Sequence, residues 1–221
     1  MESIVLLVHV QSGATKHTSE TNKTDQLGNC LNHLAHVFLA PDSPEARVGS
    51  ILGDFTRGVD IGELPNAVRQ GVHHHRAVDS FTDQHPDVLA SKTVFSRQRR
   101  RFAGVALDIL YDHFLLKHWD KFSELEREQF IHRIYDELQG HEHLMPAPMA
   151  KVTRRMVWHD WFGAYKDLES IGYALDRVAD RIRFPNSFAG IITEIRSNHD
   201  ALEQRFLSFF PDLQKFAGDI E

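Results

Sequence analysis

Cysteine is almost missing: Cys30 is the single one among 221 residues, which excludes an internal disulfide and a thiolate metal cage. Long apolar runs are missing too, and none approaches the ~20 residues that a membrane-spanning helix requires. The short apolar start from Ser3 to Val10 follows Glu2, has no basic flank and leads to no small-residue cleavage site, so it does not read as a secretion signal. Positive charge is not in excess, since the formal net charge is −6, which argues against general nucleic-acid binding. Alternating strand pairs, Asn-Gly or Asp-Gly hairpin turns and repeats of solenoid period do not occur. Neither does a Gly-x-Ser-x-Gly elbow or a phosphate-binding glycine loop, so nucleophilic serine chemistry and nucleotide cradles lack their usual signatures. These absences point to a soluble, cytoplasmic protein without strands.

What remains is a hydrophobic fraction of 42%, a charged fraction of 25% and 15 histidines, enough for one sizeable core in one domain. Residues 1–30 are polar after the apolar start and show no periodicity, so they read as an extension outside the folded part, or as sequence upstream of a native start near Leu31. From Asn32 the pattern is helical. Leu34, Val37 and Phe38 share a face up to the Pro41-Asp42-Ser43-Pro44 turn, and Val48, Ile51, Leu52 and Phe55 repeat at three and four. Pro65 suits the first turn of a helix that runs to His85-Pro86. A further helix is expected over 87–97, and a long apolar one ends near Trp119. Ser123, followed three residues later by Glu126, offers a capping box for a helix through Leu138. Shorter helices are expected over 150–158, 161–165 and 168–182, and a last one from Phe188 to Phe210, stopped by Pro211. The expected fold is an all-α, single-domain multi-helix bundle over 31–221.

Two stretches concentrate chemistry. In GVHHHRAVDSFTDQHP, residues 71–86, helical spacing stacks His75, Asp79 and Asp83 in one line. In ALDILYDHFLLKHW, residues 106–119, Asp108 and Asp112 lie four apart beside His113 on a segment apolar enough to be buried. Buried like-charged carboxylates repel unless a cation lies between them, so these two rows, with His33 and His36 upstream and Asp54 at the end of the second helix, are candidate ligands of one divalent ion. Imidazole and carboxylate without thiolate favour Mn, Mg, Fe or Zn in an open hydrolytic site. The bland reading is that each acid pairs with a cation such as Arg76 or Lys117 and that each histidine is a surface or hydrogen-bonded core residue.

Several blocks in register resemble one known family. NHLAH (32–36), GSILGDFTRG (49–58), GVHHHRAVDSFTDQHP, ALDILYDHFLLKHW and HDALEQRFLSFFP (199–211) together resemble the acyl carrier protein phosphodiesterases, which are similar to all-helical phosphohydrolases of the HD type. The likeness spans about residues 31–211 and is loose between Asp120 and Asn198. It implies hydrolysis of the phosphodiester joining 4'-phosphopantetheine to a serine of holo acyl carrier protein, with Mn²⁺ or Mg²⁺, within fatty acid metabolism. Carried over by block, His36, Asp54, His75, Asp79 and Asp112 are the expected metal ligands, Asp108 and His113 catalytic groups, and Arg76 a phosphate holder. The chain departs from the family at His33, where an aromatic residue is more usual, and at Ala77, where a second basic residue is common. The implied partner is small and acidic, and Arg97, Arg99, Arg100 and Arg101 form the candidate docking surface, with Lys151, Arg154 and Arg155 a second. Two rivals stand beside this reading: HD-type hydrolysis of a nucleotide or other small phosphoester, and a non-enzymatic helical module that binds an acidic partner.

Overall fold

The computed structural model describes residues 33–182 and 184–220; the extension expected over 1–30 lies outside them. Twelve α-helices and no strand occur among the described residues: α1 (His33–Leu39), α2 (Pro44–Leu52), α3 (Asn66–Gln84), α4 (Pro86–Lys92), α5 (Ala103–Lys117), α6 (Trp119–Phe122), α7 (Arg127–Gly140), α8 (Ala147–Trp158), α9 (Trp161–Ala164), α10 (Leu168–Ala179), α11 (Ile192–Ser197) and α12 (His199–Gly218). The all-α expectation is met, and no described helix is long and apolar enough to cross a membrane.

Local chemistry sets several boundaries. Ser43 caps α2 by accepting from the Ala46 amide at 3.0 Å, and Pro44 fills the first turn, where a missing N–H costs nothing. The His85 ring accepts from the Asp87 amide at the start of α4, while Pro86 separates α4 from α3. Asp167 caps α10 through the Ser170 amide.

The apolar α5 is the central rod. Leu107, Leu110, Tyr111, Phe114, Leu115 and Leu116 are all buried, and α1, α4, α10 and α12 pack around it. Aromatic rings fill the space between α5 and α12, with Phe206 5.5 Å from Tyr111 and 5.5 Å from Phe114. Burial of such rings at roughly 25 cal/mol per Å² is the main force holding the bundle.

The tightest crossing joins α2 to α3. A methyl group added at Gly49 would overlap the Val68 carbonyl, and one at Gly71 would overlap the Ala46 carbonyl. Only glycine at both positions lets these two main chains touch.

Several boundaries differ from expectation, among them the helix expected over 87–97, which ends at Lys92. Ser123 does not cap α7; its hydroxyl accepts from the Leu125 amide at 3.1 Å, and α7 starts at Arg127. The helix expected over 188–210 is two, α11 and α12. Pro211 lies inside α12 rather than ending it. A proline costs a helix interior ~3 kcal/mol, but Phe209, Phe210, Leu213 and Ala217 bury one continuous face across it, and that burial outweighs the lost bond.

Candidate metal centre

Three elements meet at one end of the α2–α3 crossing. From α3 come His75 and Asp79, one turn apart; α1 brings His36, and the short turn Gly53–Phe55 after α2 brings Asp54. His36 Nε2 and His75 Nε2 each lie 3.2 Å from one oxygen of Asp79. Asp54 Oδ1 is 3.6 Å from His75 Nε2, and its other oxygen is 3.5 Å from His33 Nδ1. The rings of His36 and His75 stack with centroids 3.9 Å apart. Gly53 makes room for this: a methyl group there would overlap the His75 ring.

The electrostatics follow from this crowding. Burial and the neighbouring His75 lower the His36 pKa to about 4, and burial with His36 and His75 nearby lowers His33 to about 3. Burial also works against charge on His75, but Asp79 and Asp54 outweigh it and raise its pKa. Asp79 resists its own burial through His36 and His75 and is lowered to about 2. The centre thus favours an ionised Asp79 and a neutral His36, with the two carboxylates pulling the other way on His75.

One nitrogen of His36, one of His75 and one oxygen of Asp79 fall within 4.8 Å of one another. At 3.2 Å from Asp79, His36 Nε2 still lacks hydrogen-bond alignment, so this nitrogen faces the group without a hydrogen-bond partner. Two imidazoles and a carboxylate converging in this way fit a divalent cation. On the solvent side a depression of about 320 Å³ is lined by Arg76, Asp79, Ser80, Asp83 and Gln84, which makes Asp79 reachable.

The second expected row is arranged differently. Asp112 is fully buried, and its two oxygens accept from the backbone amides of Leu34 and Ala35 at 3.2 and 3.0 Å. It closes the amino end of α1 and thereby positions His36, rather than joining the converging ligand atoms. The clue in the sequence, a buried carboxylate needing a cation, has a different answer: two N–H donors hold its oxygens, and burial favours its protonated form. His113 places Nδ1 2.8 Å from the Tyr165 carbonyl, toward α9 and not toward the centre. Asp108 is half-buried on α5, outside the converging group. Asp83, expected to stack with His75 and Asp79, pairs with Lys92 at 2.8 Å.

The basic run is largely committed to the fold. Arg99 donates to the carbonyls of Ser187 and Ala189 and pairs with Glu194 at 3.0 Å. Arg100 reaches the Thr93 carbonyl, and Arg101 lies 4.6 Å over the Phe102 ring. Arg97 is exposed. A group missed in the sequence is His199, Asp200 and Glu203, which also offer three ligand atoms within 4.8 Å. Its signal was the i, i+4 pair His199 and Glu203 on α12.

Fold and centre together define an all-helical protein with a buried His/Asp cluster at a helix crossing. The family model of the acyl carrier protein phosphodiesterases matches residues 31–213, and the chain belongs to that family. The acyl carrier protein phosphodiesterase of Serratia proteamaculans (strain 568) is 34% identical over 191 residues, covering 86% of this chain and 98% of the relative. That of Yersinia pestis is 32% identical over 188 residues, 85% of this chain and 97% of the relative. That of Photorhabdus laumondii is 30% identical over 188 residues, 85% and 95%. No solved structure matches the chain.

Proposed function

We propose that the protein hydrolyses the phosphodiester between 4'-phosphopantetheine and the serine of holo acyl carrier protein, in the cytoplasm, with Mn²⁺ or Mg²⁺ at the His36, His75 and Asp79 centre. The observation that carries this reading is the convergence of those three ligand atoms beneath an open depression, in a chain whose relatives bear the name of that activity. A bound divalent ion supplies Lewis acidity at a phosphoryl oxygen and eases deprotonation of water near neutral pH.

The chain's own residues do the rest. Arg76 is exposed on the rim of the depression beside Asp79, where its guanidinium can take two non-bridging phosphate oxygens. To Asp54, expected as a ligand and 3.6 Å from His75, we assign instead receipt of the proton of the attacking water. Water adds to phosphorus, the bond from phosphorus to the serine oxygen breaks, and that oxygen takes up a proton as apo carrier leaves. Asp112 acts at one remove, by fixing the first turn of α1 and with it His36. Asp108 and His113 have no place in this scheme, because neither brings an atom to the centre.

An acidic carrier needs a local basic surface on a protein of net charge −6. Arg97, with the exposed parts of Arg100 and Arg101, provides one; Arg99 holds the adjoining loop. The test is incubation with holo carrier protein and Mn²⁺ followed by intact-mass measurement. The reading expects loss of the phosphopantetheine mass from the carrier, abolished in Asp79→Asn. An unchanged carrier in the presence of metal defeats it.

A further inference from the structure

A cavity larger than the depression at the His/Asp centre lies elsewhere. It lies between α5, α9 and α10, has a volume of about 640 Å³ and is lined by Ile109, Trp161, Tyr165, Ala174, Val178 and, at the polar end, Arg177 and Arg181. That volume falls within the roughly 300–1,000 Å³ of small-molecule sites. The wall is apolar along most of its length, with Tyr173 exposed at its edge.

The lining also holds Asp167, Glu169 and Ser170, yet three of its donors have no acceptor. Trp161 Nε1, Arg177 Nε and Arg181 Nη2 are each buried and make no hydrogen bond. Buried donors are normally satisfied, and an orphan costs about 1–3 kcal/mol, so three around one cavity call for an acceptor. The acids nearby do not supply it: Glu169 lines the cavity but is exposed, and none of the three donors has a partner. Asp167 spends its two oxygens on the amide and hydroxyl of Ser170. Asp180 approaches Arg177 only at 4.0 Å, and at its other terminal nitrogen position, with most of its side chain in solvent. The Arg181 pKa is lowered by burial and by the positive charges of Arg177 and Arg155, which outweigh Tyr165 and Asp180.

We propose that this cavity binds an anionic amphiphile, a single apolar chain lying along Ile109, Ala174 and Val178 with a carboxylate head accepting from Arg177, Arg181 and Trp161. The site shares no residue with the His36, His75 and Asp79 centre, so the inference stands or falls independently of the hydrolytic reading. Chain and head are both required: the walls exclude a compact polar anion, and the three donors disfavour a neutral lipid that would leave them unpaired.

The test is calorimetric titration of the purified full chain with dodecanoate, dodecanol and dodecyl phosphate below their aggregation concentrations. Dodecanoate is expected to bind at a single site, about tenfold or more tighter than dodecanol, the scale of one or two charge-assisted hydrogen bonds. Ala174→Trp, which fills the apolar end, should abolish binding. The double change Arg177→Gln with Arg181→Gln should reduce the dodecanoate preference to near parity while leaving the circular dichroism spectrum unchanged. ¹³C-carboxyl dodecanoate should show a shifted resonance in the native protein that reverts in the double variant. Equal affinity for dodecanol, or an unaltered preference in the arginine variant, overturns the assignment of the head. Tighter binding of dodecyl phosphate than of dodecanoate overturns the choice of carboxylate. Absence of binding by any of the three in the folded protein overturns the site itself.

Discussion

Among the described residues two groups offer three ligand atoms within 4.8 Å, His36 with His75 and Asp79, and His199 with Asp200 and Glu203, yet they differ in what else surrounds them. The second is drawn from one helix and stands half in solvent. Its Glu203 already receives Lys117 Nζ at 2.6 Å and His118 Nε2 at 2.5 Å, and these partners lower its pKa although partial burial opposes them. The first joins two helices, is nearly closed to solvent, and has no lysine or arginine within its ion pairs. Ligand spacing alone therefore does not make a metal centre. The absence of a competing cation, together with buried atoms that nothing else satisfies, distinguishes the two.

That contrast can be broken by substitution. Asp79→Asn should lower phosphodiester hydrolysis by about 100-fold or more and remove divalent-ion binding seen by calorimetry. Glu203→Gln should change either by less than about twofold, and equal effects would erase the distinction. Gly53→Ala drives a methyl group into the His75 ring, so ion affinity should fall about 10- to 100-fold, as for other losses of ligand orientation, with the helical spectrum retained. Asp112→Ala strands two buried amides and should cost about 2–5 kcal/mol in a denaturant titration.

Asp112 also predicts a pH dependence. Burial raises its pKa to about 8, against the opposing pull of the Ala35 and Leu34 amides. The unfolded chain loses this proton near 3.8, so between about pH 4 and 8 the folded state binds more protons and stability falls as pH rises. Asp112→Asn should flatten that slope, measured as the denaturation midpoint against pH. Arg76→Ala is the mildest change, since the side chain is exposed: about tenfold in kcat/KM toward holo carrier, with an unchanged melting temperature.

Much of the centre was legible in the residues. A period of four on an amphipathic helix puts His75 and Asp79 on one face whatever the tertiary structure, while His36 stands midway along α1 and Asp54 just past the end of α2. What periodicity cannot express is which competitor reaches an acid first. Asp83 shares the line of His75 and Asp79, but α4 returns Lys92 to it. Asp112 shares the spacing of a ligand, but the amino end of α1 lies across from it. The cavity of Trp161, Arg177 and Arg181 was invisible for the same reason, because its walls come from three helices whose docking no local pattern specifies. Pro211 misled in the other direction, as a local rule overruled by the burial of Phe209, Phe210 and Leu213.

The main-chain contact at Gly49 and Gly71 has a mechanical consequence. His75 lies one turn beyond Gly71 and Asp54 little more than one turn beyond Gly49, so the gap between imidazole and carboxylate is gauged by two abutting polypeptide backbones. Rotamer hopping has no lever on such a gauge. Warming should leave it in calibration until the whole bundle opens, so that loss of ion affinity and loss of helicity coincide on one thermal curve.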